Sequence, residues 1–340
     1  MSGPGGIQWG MAVQADPTTV PTALSDDVLD QAERLRGELR GFAYRMLASV
    51  SDADDAVQNA LVRAWKAADK FDGRSSVRTW MYRIVTNVCL DEIAARKRRA
   101  LPVDLESEAS PPVASSLGQP LPASSFVEPV LDAMIADPAD VVVSRESVRL
   151  AFVAALQNLP ASQRAVLILR DVLAWRAAEV AELLEISVAA ANSQLQRARE
   201  TMKSVQDGSK AARPNAERAV EEAVVARYVA AFERYDMEAL ATMLAEDAVM
   251  SMPPFSLYLA GRDDVVAWMA GPGHECLGSR LIPVEVNGGP GFAQYRKDPA
   301  GGHFPWGVHA LVVRDDVVVE ETVFLGADVF ATLGLPAHLD

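Results

Sequence analysis

Apolar residues recur at three- and four-residue intervals through most of the first 205 positions, then give way to short β-branched runs after about residue 245. The helical spacing predicts one helix from Val28 to Ser49 and a turn at SVSDADD capped by Ser51 or Asp52. A second helix follows from Ala53 to Ala68, then the loop FDGRSS, then a third helix from Ser76 to Arg99. On that third helix Val77, Trp80, Met81, Ile84, Val85, Val88 and Cys89 share one face, which assigns Trp80 to the core. The helical pattern resumes at Ser144 and lasts to Val205. Inside it, a helix Ala177–Glu185 and another beginning at Val188 flank a break at Ile186-Ser187, where Ser187 can cap the second helix. Val180, Leu183 and Leu184 can bury against Val188, Ala191, Leu195 and Ala198, the pattern of a helix-turn-helix. Its outward face carries Asn192, Ser193, Gln196, Arg197 and Arg199, which suit base edges and phosphates in a major groove. A helical hairpin with a merely solvated face is the alternative.

The last part has a different texture. Helices Ala216–Tyr235 and Met237–Leu244 precede the strand-like runs AVMSM, RLIPVEV, GFAQYR, GVHALVVR and VVVEETVFL, with a helix Asp263–Met269 among the early ones. Two β-branched runs around Asp315-Asp316 predict a hairpin. The expectation is multidomain: two all-α helical domains at 28–100 and 144–206, then an α+β domain at 215–335 with a curved antiparallel sheet. Residues 1–27 are expected to be disordered, with Met11 an alternative start. Residues 101–143 are expected to form an acidic Pro/Ser/Ala linker whose PASSFVEPVLDAM piece docks on the protein, and 207–214 a second linker.

A net charge of −14 looks unsuited to nucleic acid until it is divided along the chain. Residues 34–99 carry 14 basic against 8 acidic side chains and residues 145–203 carry 8 against 6. The intervening 100–144 has no Lys or Arg and 7 acids, and 215–340 has 8 against 19. Local field, not the total, steers a polyanion. No apolar run is long enough for a bilayer and no signal peptide is visible, so a soluble, cytoplasmic protein without membrane association is expected. Cys89 and Cys276 are far apart in apolar surroundings and read as buried thiols rather than a disulfide or metal pair.

With these blocks in order, the chain resembles an extracytoplasmic-function sigma factor of the sigma-70 family over residues 30–205. DADDAVQNALVRAWKA resembles the segment that grips core RNA polymerase. FDGRSSVRTWMYRIVTNVCLDEIAARKRR resembles the segment that melts and reads the −10 element, and LPASQRAVLILRDVLAWRAAEVAELLEISVAAANSQLQRAR the reader of the −35 element. EDAVMSMPP, the later GRDDV and the closing FLGADVFATLGLP resemble the SnoaL-like (NTF2-like) cone that some of these factors carry. The resemblance implies a non-enzymatic initiation factor that binds core polymerase through its beta and beta-prime subunits, and promoter DNA. It leaves room for an anti-sigma factor, implies no metal or cofactor, and gives the C-terminal domain a modulating role. It assigns Asp54, Asp55, Gln58, Asn59, Leu61 and Trp65 to polymerase. To the −10 element it assigns Asp72, Gly73, Arg74, Ser75, Ser76, Arg78, Arg83, Asn87, Arg96, Lys97, Arg98 and Arg99. Arg176, Ser187, Ala190, Asn192, Ser193, Gln194, Gln196, Arg197 and Arg199 fall to the −35 element.

The physics of each segment agrees. A helix face of acids and amides beside Trp65 suits a basic coiled coil, although acids also favour a helix N-terminus by themselves. Arginines near a loop, with the basic end Arg96–Arg99, suit phosphates and unstacked bases. Asn192 and Gln194 favour adenine over guanine. Two readings from other classes stay open: a SnoaL-like enzyme with a DNA-binding front end, and a helix-turn-helix regulator that needs no polymerase. A catalytic reading would need an acid and a base facing one pocket. His274, His303 and His309, with Asp247, Asp263 and Glu320 as candidate partners, show no spacing that makes that case.

Overall fold

Ser49 sets the first boundary. In extended backbone its hydroxyl accepts from the Asp52 amide, so Ser49, not Ser51 or Asp52, is the cap and the helix starts at Val50. The computed structural model describes residues 23–71, 73–96, 98–106, 108–135, 141–208 and 218–340. The expectations of disorder before residue 23 and of a linker beyond residue 208 lie outside the described residues. Residues 23–27 are helical rather than disordered.

The single helix expected over 28–49 is two, α1 (Ala23–Arg34) and α2 (Arg36–Leu47), parted at Leu35. α2 ends where Ala48 turns left-handed at φ 57°. Then come α3 (Val50–Ala67) and α4 (Val77–Ala94), the latter capped by Ser76. Leu39, Phe42, Met46, Ala53, Val57, Met81 and Val85 form the buried centre of this unit. Trp80 packs on Phe71 with ring centroids 5.0 Å apart, as part of the packing rather than as a wedge. Since α4 ends at Ala94, the predicted helical extension to Arg99 is absent and the basic cluster lies beyond the helix.

The acidic segment does dock. After α5 (Pro102–Leu105) it runs over the C-terminal domain, where Ser110 and Leu121 amides donate to the Tyr258 and Pro254 carbonyls, both at 2.8 Å. It then returns to the first unit, pairing Val127 with Ala100 and Glu128 with Ala48, and buries Phe126, Val127 and Val130.

The second helical unit holds α6 (Val141–Val148), α7 (Leu150–Leu156), α8 (Ala161–Leu167), α9 (Ala177–Leu183) and α10 (Val188–Gly208). α8 runs on into a π-helical turn at Ile168–Val172. Buried guanidinium groups bolt this unit to the first. Arg45 donates to Ser147 at 2.7 Å, and Arg164 donates to the Met46 carbonyl and to Gln157. Burial lowers the Arg164 pKa to about 10, offset by four acceptors around its two terminal nitrogens: the Met46, Gln157 and Leu159 carbonyls and the Gln157 side chain.

The C-terminal domain begins with α11 (Arg218–Glu233) and α12 (Met237–Met243). Strands β1 (Leu244–Ser251) and β2 (Tyr258–Ala260), helix α13 (Arg262–Ala270), then β3 (Arg280–Val286), β4 (Gly289–Lys297), β5 (His303–Arg314), β6 (Val317–Leu325) and α14 (Ala327–Leu333) follow. The sheet order is β2-β1-β6-β5-β4-β3. It is mixed rather than purely antiparallel, because β1 lies parallel to β6. Asp315 and Asp316 turn the β5–β6 hairpin with φ of 48° and 68°, the paired positive angles that match strand twist. α11, α12 and α13 cover one face over a core of Val224, Tyr228, Phe232, Phe292 and Leu311. No helix among the described residues is long and apolar enough to cross a membrane.

Candidate nucleic-acid interface

α10 is a capped helix with one buried and one open face. The Ser187 hydroxyl accepts from the Ala190 amide at 3.1 Å, while Ala191, Leu195, Ala198 and Met202 are buried against α8 and α9. Asn192, Ser193, Gln196 and Arg197 are left outward and exposed, as is Ser187, and Ala190 is half-buried. Two predicted members differ. Gln194 is half-buried at the edge of this face, with its Oε1 enclosed, because position 194 falls between the outward row and the Leu195 row. Arg199 stays exposed but grips both Asp171 oxygens, at 2.7 and 2.8 Å. Arg176 starts α9, paired with Glu179 and otherwise open to solvent.

The α4 side is occupied differently. Arg78 donates to Glu38 at 2.6 Å and lies 4.9 Å from the Trp175 ring, which itself sits 4.9 Å from Tyr82. Arg83 donates to the Glu182 carbonyl of α9. The α4 helix and the helix-turn-helix therefore touch. Gly73, Arg74 and Ser76 in the preceding loop are exposed, Ser75 is half-buried, and Asn87 is exposed on α4. The basic end is not a free phosphate clamp. Arg96 pairs with Asp52 and Glu92, Arg98 with Asn158. Arg99, only 6 % exposed, donates to the Ala123 and Phe126 carbonyls and pairs with Asp52 at 2.7 Å. It anchors the acidic segment, which corrects its placement among DNA-facing residues. Asp72 and Lys97 lie outside the described residues.

α3 presents the opposite picture. Asp55, Gln58 and Asn59 are exposed, and Trp65 is 62 % exposed beside the exposed Val62. Leu61 is half-buried, and Asp54 pairs with Arg40 at 2.5 Å. Trp65 therefore stands outside the packing of this unit, among amides and acids on the open face of α3.

Sequence reasoning missed the residues that join the units. The β3–β4 turn, Asn287-Gly288, takes φ of 52° and 68°. Its tip is driven into the seam between the helical units. Asn287 is buried and donates through its side-chain amide to Tyr44 at 2.6 Å and to the Val148 carbonyl at 2.9 Å. Its Oδ1 accepts from Val130, and its own amide donates to the Val130 carbonyl. The Gly288 amide donates to Asp132, whose carboxyl burial pushes up in pKa. A Cβ at Gly288 would stand 2.1 Å from the Arg145 carbonyl oxygen. Beside the turn, fully buried Glu221 pairs with Arg145 and Arg149 at 2.8 and 2.9 Å. The string NGG between two strand runs signalled the hairpin, but not where it would land.

In the C-terminal domain His309 pairs with Glu321 at 2.6 Å, so the acid is Glu321 rather than Glu320. Asp247 faces Arg314 instead, and His303 lies against the Gly278 carbonyl.

Comparison with known proteins agrees with this geometry. Residues 32–99 match the sigma-70 region 2 family, 149–202 match sigma-70 region 4, and 225–321 match the SnoaL-like domain. The ECF RNA polymerase sigma factor SigG of Mycobacterium tuberculosis is 41 % identical over 320 residues, covering 92 % of this chain and 85 % of that protein. SigJ from the same organism is 30 % identical over 252 residues, 72 % of each chain. The SigJ crystal structure shares the fold, with a TM-score of 0.61 at 24 % identity, over 91 % of this chain and all of that one. The polymerase-free regulator and the enzyme with a DNA-binding front end give way to one reading: the chain belongs to the extracytoplasmic-function RNA polymerase sigma factors.

Proposed function

We propose that this sigma factor rests in a closed state, held by its C-terminal domain, that can dock on polymerase but cannot yet span a promoter. The −10 and −35 elements lie about 25 base pairs apart by name, or roughly 85 Å of duplex at 3.4 Å per pair. Here their readers are in contact through Trp175 on Arg78 and Glu182 on Arg83. One rigid arrangement cannot do both. The observation that carries the reading is the Asn287-Gly288 turn, which bonds α2, the acidic segment and α6 at once.

In this reading the outward α3 face, with Trp65 at its centre, meets the beta and beta-prime subunits. After opening, Gly73, Arg74, Ser75, Ser76, Arg78, Arg83 and Asn87 engage the −10 strand, and Asn192, Ser193, Gln196 and Arg197 read the −35 duplex. The C-terminal domain regulates rather than catalyses, and the protein works in the cytoplasm with its polymerase. α4 is already engaged by α9 through Arg83 and the Glu182 carbonyl, so we assign the inhibitory role to the chain itself. Run-off transcription with purified core polymerase tests this. Gly288→Ala should raise promoter-directed product severalfold at limiting polymerase. Unchanged or lower product would refute the clamp.

A further inference from the structure

The cone of the C-terminal domain encloses a cavity of about 240 Å³, walled by apolar side chains that include Phe232, Met250, Trp268 and Trp306. Its floor is polar. Gln294 and His309 reach it from β4 and β5, and both are buried. Strand register brings them together: His309 stands opposite Phe292 on β4 and Val323 on β6, so Gln294 and Glu321, two residues along, project from the same face. The result is a continuous chain. Tyr228 donates to Glu321 at 2.9 Å, Glu321 meets His309 Nδ1 at 2.6 Å, and His309 Nε2 meets Gln294 Oε1 at 2.9 Å. The Gln294 amide closes on Ser279 at 3.0 Å. A domain that served only as a wedge would be more stable with this space filled by apolar side chains.

The mouth is closed by the sigma factor itself. Ala114 and Leu117 of the acidic segment line the cavity, and Leu117 packs into the domain's core. The amides of Ser110 and Leu121 pin the segment on either side of them. The same segment continues to Arg99, Ala48 and the Asn287 turn.

We infer that this cavity binds a flat, mostly apolar organic molecule with one hydrogen-bonding group at the Gln294–His309 end, and that binding moves residues 110–121 and with them the clamp. The inference rests on the clamp reading above. The aromatic walls select a flat shape, and the volume holds on the order of ten non-hydrogen atoms. The probe is therefore 2-naphthol, with naphthalene as its apolar control, titrated by fluorescence into the full chain. The expected result is one site that prefers 2-naphthol at least tenfold. Gln294→Leu should erase that preference, Val323→Trp should fill the cavity and abolish binding, and Leu117→Ser, in the lid, should weaken it about tenfold. Bound 2-naphthol should also change amide hydrogen exchange at residues 110–121. Absence of stoichiometric binding, or binding indifferent to Leu117→Ser and Val323→Trp, overturns the site. Binding that leaves exchange at 110–121 unchanged overturns the coupling. Leu117→Ser keeps the test decisive should Val323→Trp fail to fold. Because binding is read without polymerase, its failure is separate from failure of the clamp in transcription.

Discussion

α3 and α4 belong to one small helical unit, yet α3 turns Trp65 to solvent while α4 turns its arginines to α9. Trp65 and Val62 stand exposed on α3, while Arg78 and Arg83 on α4 are engaged by Trp175 and Glu182. Exposure of a large apolar side chain costs little by itself, and in the proposed function this one is the polymerase-facing surface. On the closed-state proposal the difference teaches an order of events, in which polymerase contact comes first and promoter contact waits for the units to part.

Four substitutions would break or sharpen that contrast. The largest effect is expected from Gly288→Ala, since a methyl group at 2.1 Å from the Arg145 carbonyl has no room and φ of 68° strains any Cβ. The turn should leave its seam while the cone stays folded, seen as faster hydrogen exchange at Val130 and Asn287 with the β5–β6 hairpin still protected. Next comes Glu221→Gln, which leaves Arg145 and Arg149 without their buried carboxylate. Removing one member of such a set costs about 3 kcal/mol, measurable by urea unfolding. A loss below about 1 kcal/mol would mean the seam is wetter than described.

Trp65→Ala should leave stability unchanged but weaken core polymerase binding by about 2 kcal/mol, roughly thirtyfold, in a competition assay. Equal loss of stability and binding would place Trp65 in the fold instead. The smallest effect is expected for Asn192→Ala, about 1–2 kcal/mol and confined to one base of the −35 site. Equal loss at every single-base variant of the site would count against base reading there.

The local chemistry of these surfaces was legible along the chain. Ser187 as a cap, the Ala191–Leu195–Ala198 row beneath α10 and the Asp315-Asp316 hairpin all follow from side-chain chemistry and spacing within a few residues. What stayed hidden depends on contacts far apart in sequence. Arg99 looks like the end of a cationic run until Asp52, Ala123 and Phe126 surround it. Asn287 looks like a hairpin residue until Tyr44, more than two hundred positions away, accepts a hydrogen bond from its side-chain amide. Glu320 and Glu321 are equal candidates on paper, and only the register of β5 against β6 selects Glu321 for His309. The resemblance alone assigns Gln194 to the −35 element; helical spacing leaves it off the outward face, and it lies half-buried beside the Leu195 row.

The closed state is tested most directly by the distance between the two helical units in the free, full-length chain. With donor and acceptor dyes at the exposed residues 59 and 196, single-molecule energy transfer should give one narrow population, which Gly288→Ala converts to a broad and longer-distance one. A broad distribution in the unaltered chain, or a narrow one that Gly288→Ala leaves in place, would contradict the account.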